Sequence, residues 1–114
     1  MIKITIVEDN PEQAAKLEEY ILCYAAEYKE EINVDIYGSG MDFLDRINVL
    51  YDIIFMDVML PHMNGLDCTK KYRALNGKAI VIFVTNYGQY AVNGYEVDAM
   101  DYILKPTNGV QFMV

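Results

Sequence analysis

Apolar residues recur along this chain in three rhythms: helical, alternating and continuous. Residues 3–7 form a short β-branched run, and Asn10-Pro11-Glu12-Gln13 follows almost at once. Asn10 is placed to cap a helix, with Pro11 at its first position and Gln13 reaching back to the cap as in a capping box. Ala14, Leu17, Ile21, Tyr24, Ala25 and Tyr28 then return at helical spacing, which predicts a helix running to about Tyr28. Ile32, Val34 and Ile36 alternate with Asn33, Asp35 and Tyr37, the two-residue rhythm of a half-exposed strand at a sheet edge. Gly38-Ser39-Gly40 interrupts it, and Met41, Phe43, Leu44 and Ile47 make a second, shorter helical stripe.

The third rhythm is continuous. Residues 53–56 and 79–84 are apolar without alternation, as expected of strands covered on both faces. Between them, residues 60–65 read as a loop and 66 to about 75 as a helix. Residues 86 to about 95 predict a weaker helix, because Gly88 and Gly94 each cost up to about 1 kcal/mol in a helix interior. Tyr102-Ile103-Leu104 predicts a short strand before Lys105-Pro106, and a last helix barely begins before Val114. Five strand–helix repeats imply a doubly wound parallel sheet with helices on both faces, and right-handed crossovers restrict its topology.

Composition narrows the function classes. A chain of 114 residues makes one domain, residues 1–114, and 54% hydrophobic content gives it a core. Nine Lys and Arg against 17 Asp and Glu leave a net charge of −8, so this domain is not expected to grip nucleic acid or an anionic membrane. The apolar runs are too short to span a bilayer. An acidic cluster within the first ten residues argues against a signal peptide, so a cytoplasmic location is expected. Cys23 and Cys68 sit on separate helical patterns without CxxC spacing and are expected to be buried or half-buried apolar residues. His62 is the only histidine, too few for a zinc site or a His-based catalytic triad.

In open parallel sheets, ligands bind beyond the C-terminal ends of the strands. Glu8 and Asp9 follow the first predicted strand, Asp57 the third, Thr85 the fourth and Lys105 the fifth. Each has an ordinary explanation taken singly: helix-start acids, a turn former, a strand-end threonine, a surface lysine. Together they bring three carboxylates, a hydroxyl and an ammonium to one sheet edge. Crowded carboxylates repel one another, and Mg²⁺ relieves that repulsion through oxygen ligands while keeping waters and phosphate oxygens. A divalent cation and one ammonium neutralise three carboxylates. A carboxylate so placed can act as a covalent nucleophile toward phosphorus, a reaction that needs mainly positioning and charge neutralisation.

These residues resemble the receiver domain of two-component response regulators. The resemblance rests on Val-Glu-Asp-Asn at 7–10, Ile-Ile-Phe-Met-Asp-Val-Met-Leu-Pro-His-Met-Asn-Gly at 53–65, Val-Thr at 84–85 and Tyr-Ile-Leu-Lys-Pro at 102–106. It implies a flavodoxin-like, CheY-like (βα)5 sheet of order 2-1-3-4-5, here with a short or truncated fifth helix. It implies that Asp57 is the phosphoacceptor, and that Mg²⁺ is held by Asp9 directly, by Glu8 through water, by Asp57 and by the backbone carbonyl of Met59. Thr85 matches the hydroxyl that bonds the phosphoryl group, Lys105 the ammonium paired with it, and Pro106 a proline preceded by a cis bond. Thr85 and Tyr102 match the switch pair. The aromatic-rich segment 86–102 is similar to receivers joined to LytTR-type DNA-binding domains.

The function so implied is acceptance of a phosphoryl group from a sensor histidine kinase, followed by a switch controlling a C-terminal output domain. Self-catalysed phosphorylation and dephosphorylation are the only chemistry implied, so the domain is not expected to be an enzyme. A receiver–receiver homodimer through the fourth helix, fifth strand and fifth helix is a further expectation. The alternative is a pseudo-receiver, an interaction module without phosphorylation, although each chemical position holds the expected residue type. A haloacid-dehalogenase-like phosphatase would want a second acid where Met59 stands. A flavodoxin-like FMN carrier would want hydroxyl and glycine donors where Glu8-Asp9-Asn10-Pro11 would repel phosphate.

Overall fold

A computed structural model of the chain describes residues 1–46, 49–85 and 99–104, with Thr85 and the final six residues described by backbone alone. The elements are β1 (Ile2–Val7), α1 (Pro11–Glu27), β2 (Ile32–Tyr37), α2 (Gly40–Leu44), β3 (Ile53–Asp57), α3 (Gly65–Ala74), β4 (Ile80–Thr85) and β5 (Ala99–Leu104). The strands form one parallel sheet of order β2-β1-β3-β4-β5, as the resemblance implied. The chain order crosses at β1, so the ends of β1 and β3 lie side by side: Val7 pairs with Met56, and Asp57 pairs with Val84. The crevice favoured by ligands in such sheets opens at that crossing.

Each face of the sheet has its own core. On the α2 and α3 side, Phe43, Tyr51, Met56, Tyr72 and Phe83 pack with Val7, Ile54 and Val81. On the α1 side, Ile4, Ile6, Leu17 and Ile21 pack with Phe55 and Val84. Residues 4–7 of β1 are buried without interruption, because strands in the middle of the sheet are covered on both faces. Thr5 is tolerated there because its hydroxyl donates to the Asp35 carbonyl at 3.1 Å.

Several expectations are corrected. Asn10 does cap α1, accepting from the N–H groups of Glu12 (2.9 Å) and Gln13 (3.1 Å). The reciprocal half of the capping box is absent, however: the Asn10 N–H donates to Glu8 Oε2 at 3.3 Å instead of to Gln13. The helix runs to its cap at Tyr28 as expected, with Tyr24 and Tyr28 on its outer surface and their ring centroids 4.6 Å apart. Their spacing of four residues lets them cover each other. Cys23 is exposed on α1, while Cys68 is buried. Within α2 only Phe43 is a deeply buried apolar side chain, and Met41 points outward. β5 begins at Ala99, three residues before the predicted strand, because pairing with β4 extends it past the apolar run. Ile47, the expected fourth helix, Lys105, Pro106 and the expected fifth helix lie outside the described residues.

Candidate functional site

Glu8 and Asp9 leave the end of β1 and Asp57 ends β3, so the sheet register alone brings the three together. The Glu8 N–H continues the ladder to the Tyr37 carbonyl at 3.0 Å, which fixes the loop as it leaves the sheet. Glu8 and Asp57 are buried, at 6% and 4% exposure, whereas Asp9 is open to solvent. One carboxylate oxygen from each of the three lies within 4.8 Å of the others. At that separation anionic oxygens repel strongly, and the repulsion grows where water is excluded. Oxygen-only donors, two of them buried and one accessible, fit a hard divalent cation that keeps part of its water shell.

Asp57 is held from two directions. Its Oδ1 accepts the Met59 N–H at 3.1 Å, which turns the chain sharply beyond β3. Behind it, the Gly65 N–H donates to the Val58 carbonyl at 2.8 Å, drawing the start of α3 against the strand end. Asn64 caps that helix by accepting from the Asp67 N–H at 2.8 Å. Gly65 does not have the positive φ that would call for glycine on conformational grounds. A Cβ there would overlap the Asp57 carbonyl oxygen and lie 2.9 Å from Met56 Cγ, so glycine is required by the closeness of the two backbones. Sequence reasoning placed Gly65 in a loop and did not connect it with Asp57.

Thr85 ends β4 one residue beyond Val84, the pairing partner of Asp57, so its backbone reaches the same sheet edge. Tyr102 lies on β5 opposite Phe83, and Leu104 pairs with Thr85. The side chains of Thr85 and Tyr102, and all of Lys105, lie outside the described residues. Under the carboxylates, on the α1 side of the sheet, is a small cavity faced by Glu8, Asp57 and Gln13 and walled by Ile6, Leu17 and Phe55.

A five-stranded parallel sheet wound on both sides, with acidic residues gathered at the carboxyl ends of β1 and β3, defines a CheY-like α/β domain. A family profile described as "Response regulator receiver domain" matches residues 4–113, and the chain belongs to that family. It is 36% identical over 110 residues to "Sensory transduction protein LytT" of Bacillus cereus, a match covering 93% of this chain and 42% of that protein. It is 37% identical over 108 residues to "Response regulator ArlR" of Staphylococcus aureus, covering 93% of this chain and 47% of ArlR. The chain thus spans less than half the length of these curated relatives. Among solved structures, the BeF3-activated DrrB receiver domain superposes with a TM-score of 0.82 at 25% identity, covering 99% of this chain and 92% of that one. The TorR receiver domain gives 0.81 at 28% identity, covering 99% and 91%.

Proposed function

We propose that this receiver domain is switched by phosphorylation of Asp57, with a sensor histidine kinase as the donor. The observation that carries the reading is the gathering of the Glu8, Asp9 and Asp57 carboxylates within 4.8 Å at the sheet crossing. In the reaction, an Asp57 carboxylate oxygen attacks phosphorus and the N–P bond of the kinase phosphohistidine breaks. The electron pair of that bond returns to the imidazole, and an aspartyl-phosphate remains on this chain. Asp9, Glu8, Asp57 and the Met59 carbonyl would hold Mg²⁺, which supplies charge neutralisation to the transferred group when bound. A bound magnesium ion is named for the receiver domain of PA1611, which shares this fold. The BeF3-activated state named for DrrB supports the same chemistry, since beryllofluoride imitates a phosphoryl group on a carboxylate.

Lys105 pairs with the phosphoryl group and Thr85 bonds it, drawing the end of β4 toward Asp57. Tyr102 then turns toward the space Thr85 leaves, a local charge change read out by a two-state element. The surface formed by β5 and the expected fourth and fifth helices would rearrange and pair with a second receiver. The domain turns over no separate substrate and works in the cytoplasm, where it controls a DNA-binding output domain of the LytTR type. Similarity to LytT supports that output, and DNA contact belongs to it rather than to this acidic domain. Among the described residues, no helix is long and apolar enough to cross a membrane.

Intact mass after incubation with acetyl phosphate tests the reading. Wild type should gain one phosphoryl group with Mg²⁺ and none with EDTA, while Asp57→Asn, which keeps the shape but not the nucleophile, should gain none. A phosphorylated Asp57→Asn chain would sink the assignment.

A further inference from the structure

Gln13 is expected from the sequence to serve the cap of α1, and the fold releases it from that duty. Asn10 takes Glu8 as its acceptor, and the Gln13 carboxamide has no hydrogen-bond partner among the described residues. Its position is nonetheless fixed: Gln13 and Leu17 are four residues apart, on one face of α1, and both line the cavity under Glu8 and Asp57. That cavity has a volume of about 10 Å³, the room of one water molecule. Ile6, Leu17 and Phe55 give it apolar walls, and the residues with polar side chains that line it, among the described residues, are Glu8, Asp57 and Gln13. Carboxylates only accept, whereas the carboxamide offers two N–H donors. A water placed there donates one hydrogen to Glu8, the other to Asp57, and accepts from Gln13 Nε2, completing the three bonds typical of a buried water.

We propose that Gln13 is a positioning residue of the acidic site, clamping a water in this cavity that holds the Glu8 and Asp57 carboxylates in their cation-binding arrangement. The proposal rests on the reading of the acidic cluster as a Mg²⁺ site. Without the carboxamide the water loses its only donor among these groups, and the two buried acids lose the bridge between them while keeping the bonds from the Asn10 and Met59 N–H groups. The effect should therefore fall on cation affinity and not on folding, since Gln13 is half-buried and makes no core contact comparable to Leu17.

The test is Mg²⁺ titration by calorimetry on the folded 114-residue chain, wild type against Gln13→Leu, with melting temperatures measured in EDTA. Losing one water-mediated bond should raise the Mg²⁺ dissociation constant by about two- to tenfold, with the melting temperature in EDTA unchanged. A crystal structure of the wild type should show the water with its three contacts, and Gln13→Leu should lack it. Equal Mg²⁺ affinities in the two proteins, or a lower melting temperature with unchanged affinity, would overturn the role given to Gln13. A wild type that binds no Mg²⁺ would overturn the functional reading of the cluster, and this inference with it.

Discussion

On the α2 and α3 side of the sheet, aromatic rings interlock: Phe43 lies 5.4 Å from the Tyr72 ring and 6.4 Å from that of Tyr51. A hydrogen-bonded chain ties this side to the edge strand, with Tyr37 and Tyr51 hydroxyls 2.6 Å apart and Tyr51 donating to Asp35 Oδ2 at 2.7 Å. The α1 side is aliphatic, with Phe55 as the one aromatic ring in its described core, and an apolar groove of about 150 Å³ opens between Ile2, Ile21, Ala25 and Ile53. Asp57 is divided between these two environments. Its backbone is approached closely by Gly65 on the densely packed side, while the residue lines a cavity with Phe55 and Leu17 on the looser side. The difference teaches how one residue can be fixed at its backbone and still have open space beside it, since the packed face sets the origin of Asp57 and the looser face leaves a cavity next to it.

Breaking each face in turn should show the contrast at its largest. Phe43→Ala removes a ring at 1% exposure from the packed face and should cost about 3–5 kcal/mol in urea unfolding. Leu17→Ala on the α1 side should cost less, nearer the lower end of about 2–5 kcal/mol, because the cavity beside it allows relaxation. Equal losses would mean that the two faces are packed alike.

A finer comparison uses two glycines at opposite ends of α3. A Cβ at Gly65 meets the Asp57 carbonyl, and a Cβ at Gly77 meets the Tyr72 ring. Gly65→Ala and Gly77→Ala should each cost about 1–3 kcal/mol by overpacking. Only Gly65→Ala should also slow phosphoryl uptake from acetyl phosphate in protein that is fully folded. Equal uptake rates would show that the closeness behind Asp57 serves packing alone.

The smallest effect at neutral pH distinguishes the faces by titration. Burial pushes the Cys68 thiol up from its ordinary 9.0 to about 12, and burial with hydrogen bonds to Tyr37 and Asp35 pushes the Tyr51 phenol up as well. Both groups are acids kept protonated in the folded state, so the unfolded chain releases their protons first. Their contribution is complete below about pH 9 and is lost as pH rises toward 12. Unfolding measured from pH 7 to 11 should show stability falling above pH 9, and Cys68→Ala should flatten part of that slope. An identical slope in the variant would remove Cys68 from the account.

Much of this architecture was legible in the sequence. Continuous apolar runs at 53–56 and 79–84 located the inner strands, and the residues just past the strand ends named the acidic cluster. The departures fall where one local rule competes with another contact, local or tertiary. The capping-box spacing assigned Gln13 to the Asn10 N–H, yet Glu8, two residues before Asn10, takes that bond. Helical spacing carried α1 to Tyr28 correctly, while its last two tyrosines, four residues apart, cover each other on the outer surface. The three residues that β5 gains from pairing with β4 carry Asp101, which no apolar pattern would include.

The central claim, that Asp57 carries the phosphoryl group, is tested most directly by trapping the acyl phosphate chemically. Chain loaded with acetyl phosphate and Mg²⁺ is treated with borohydride, which reduces an aspartyl-phosphate to homoserine, and the digested peptides are sequenced by mass. Homoserine should stand at position 57 and at no other aspartate, and should be absent when EDTA replaces Mg²⁺. Homoserine at Asp9 or elsewhere, with Asp57 intact, would contradict the account.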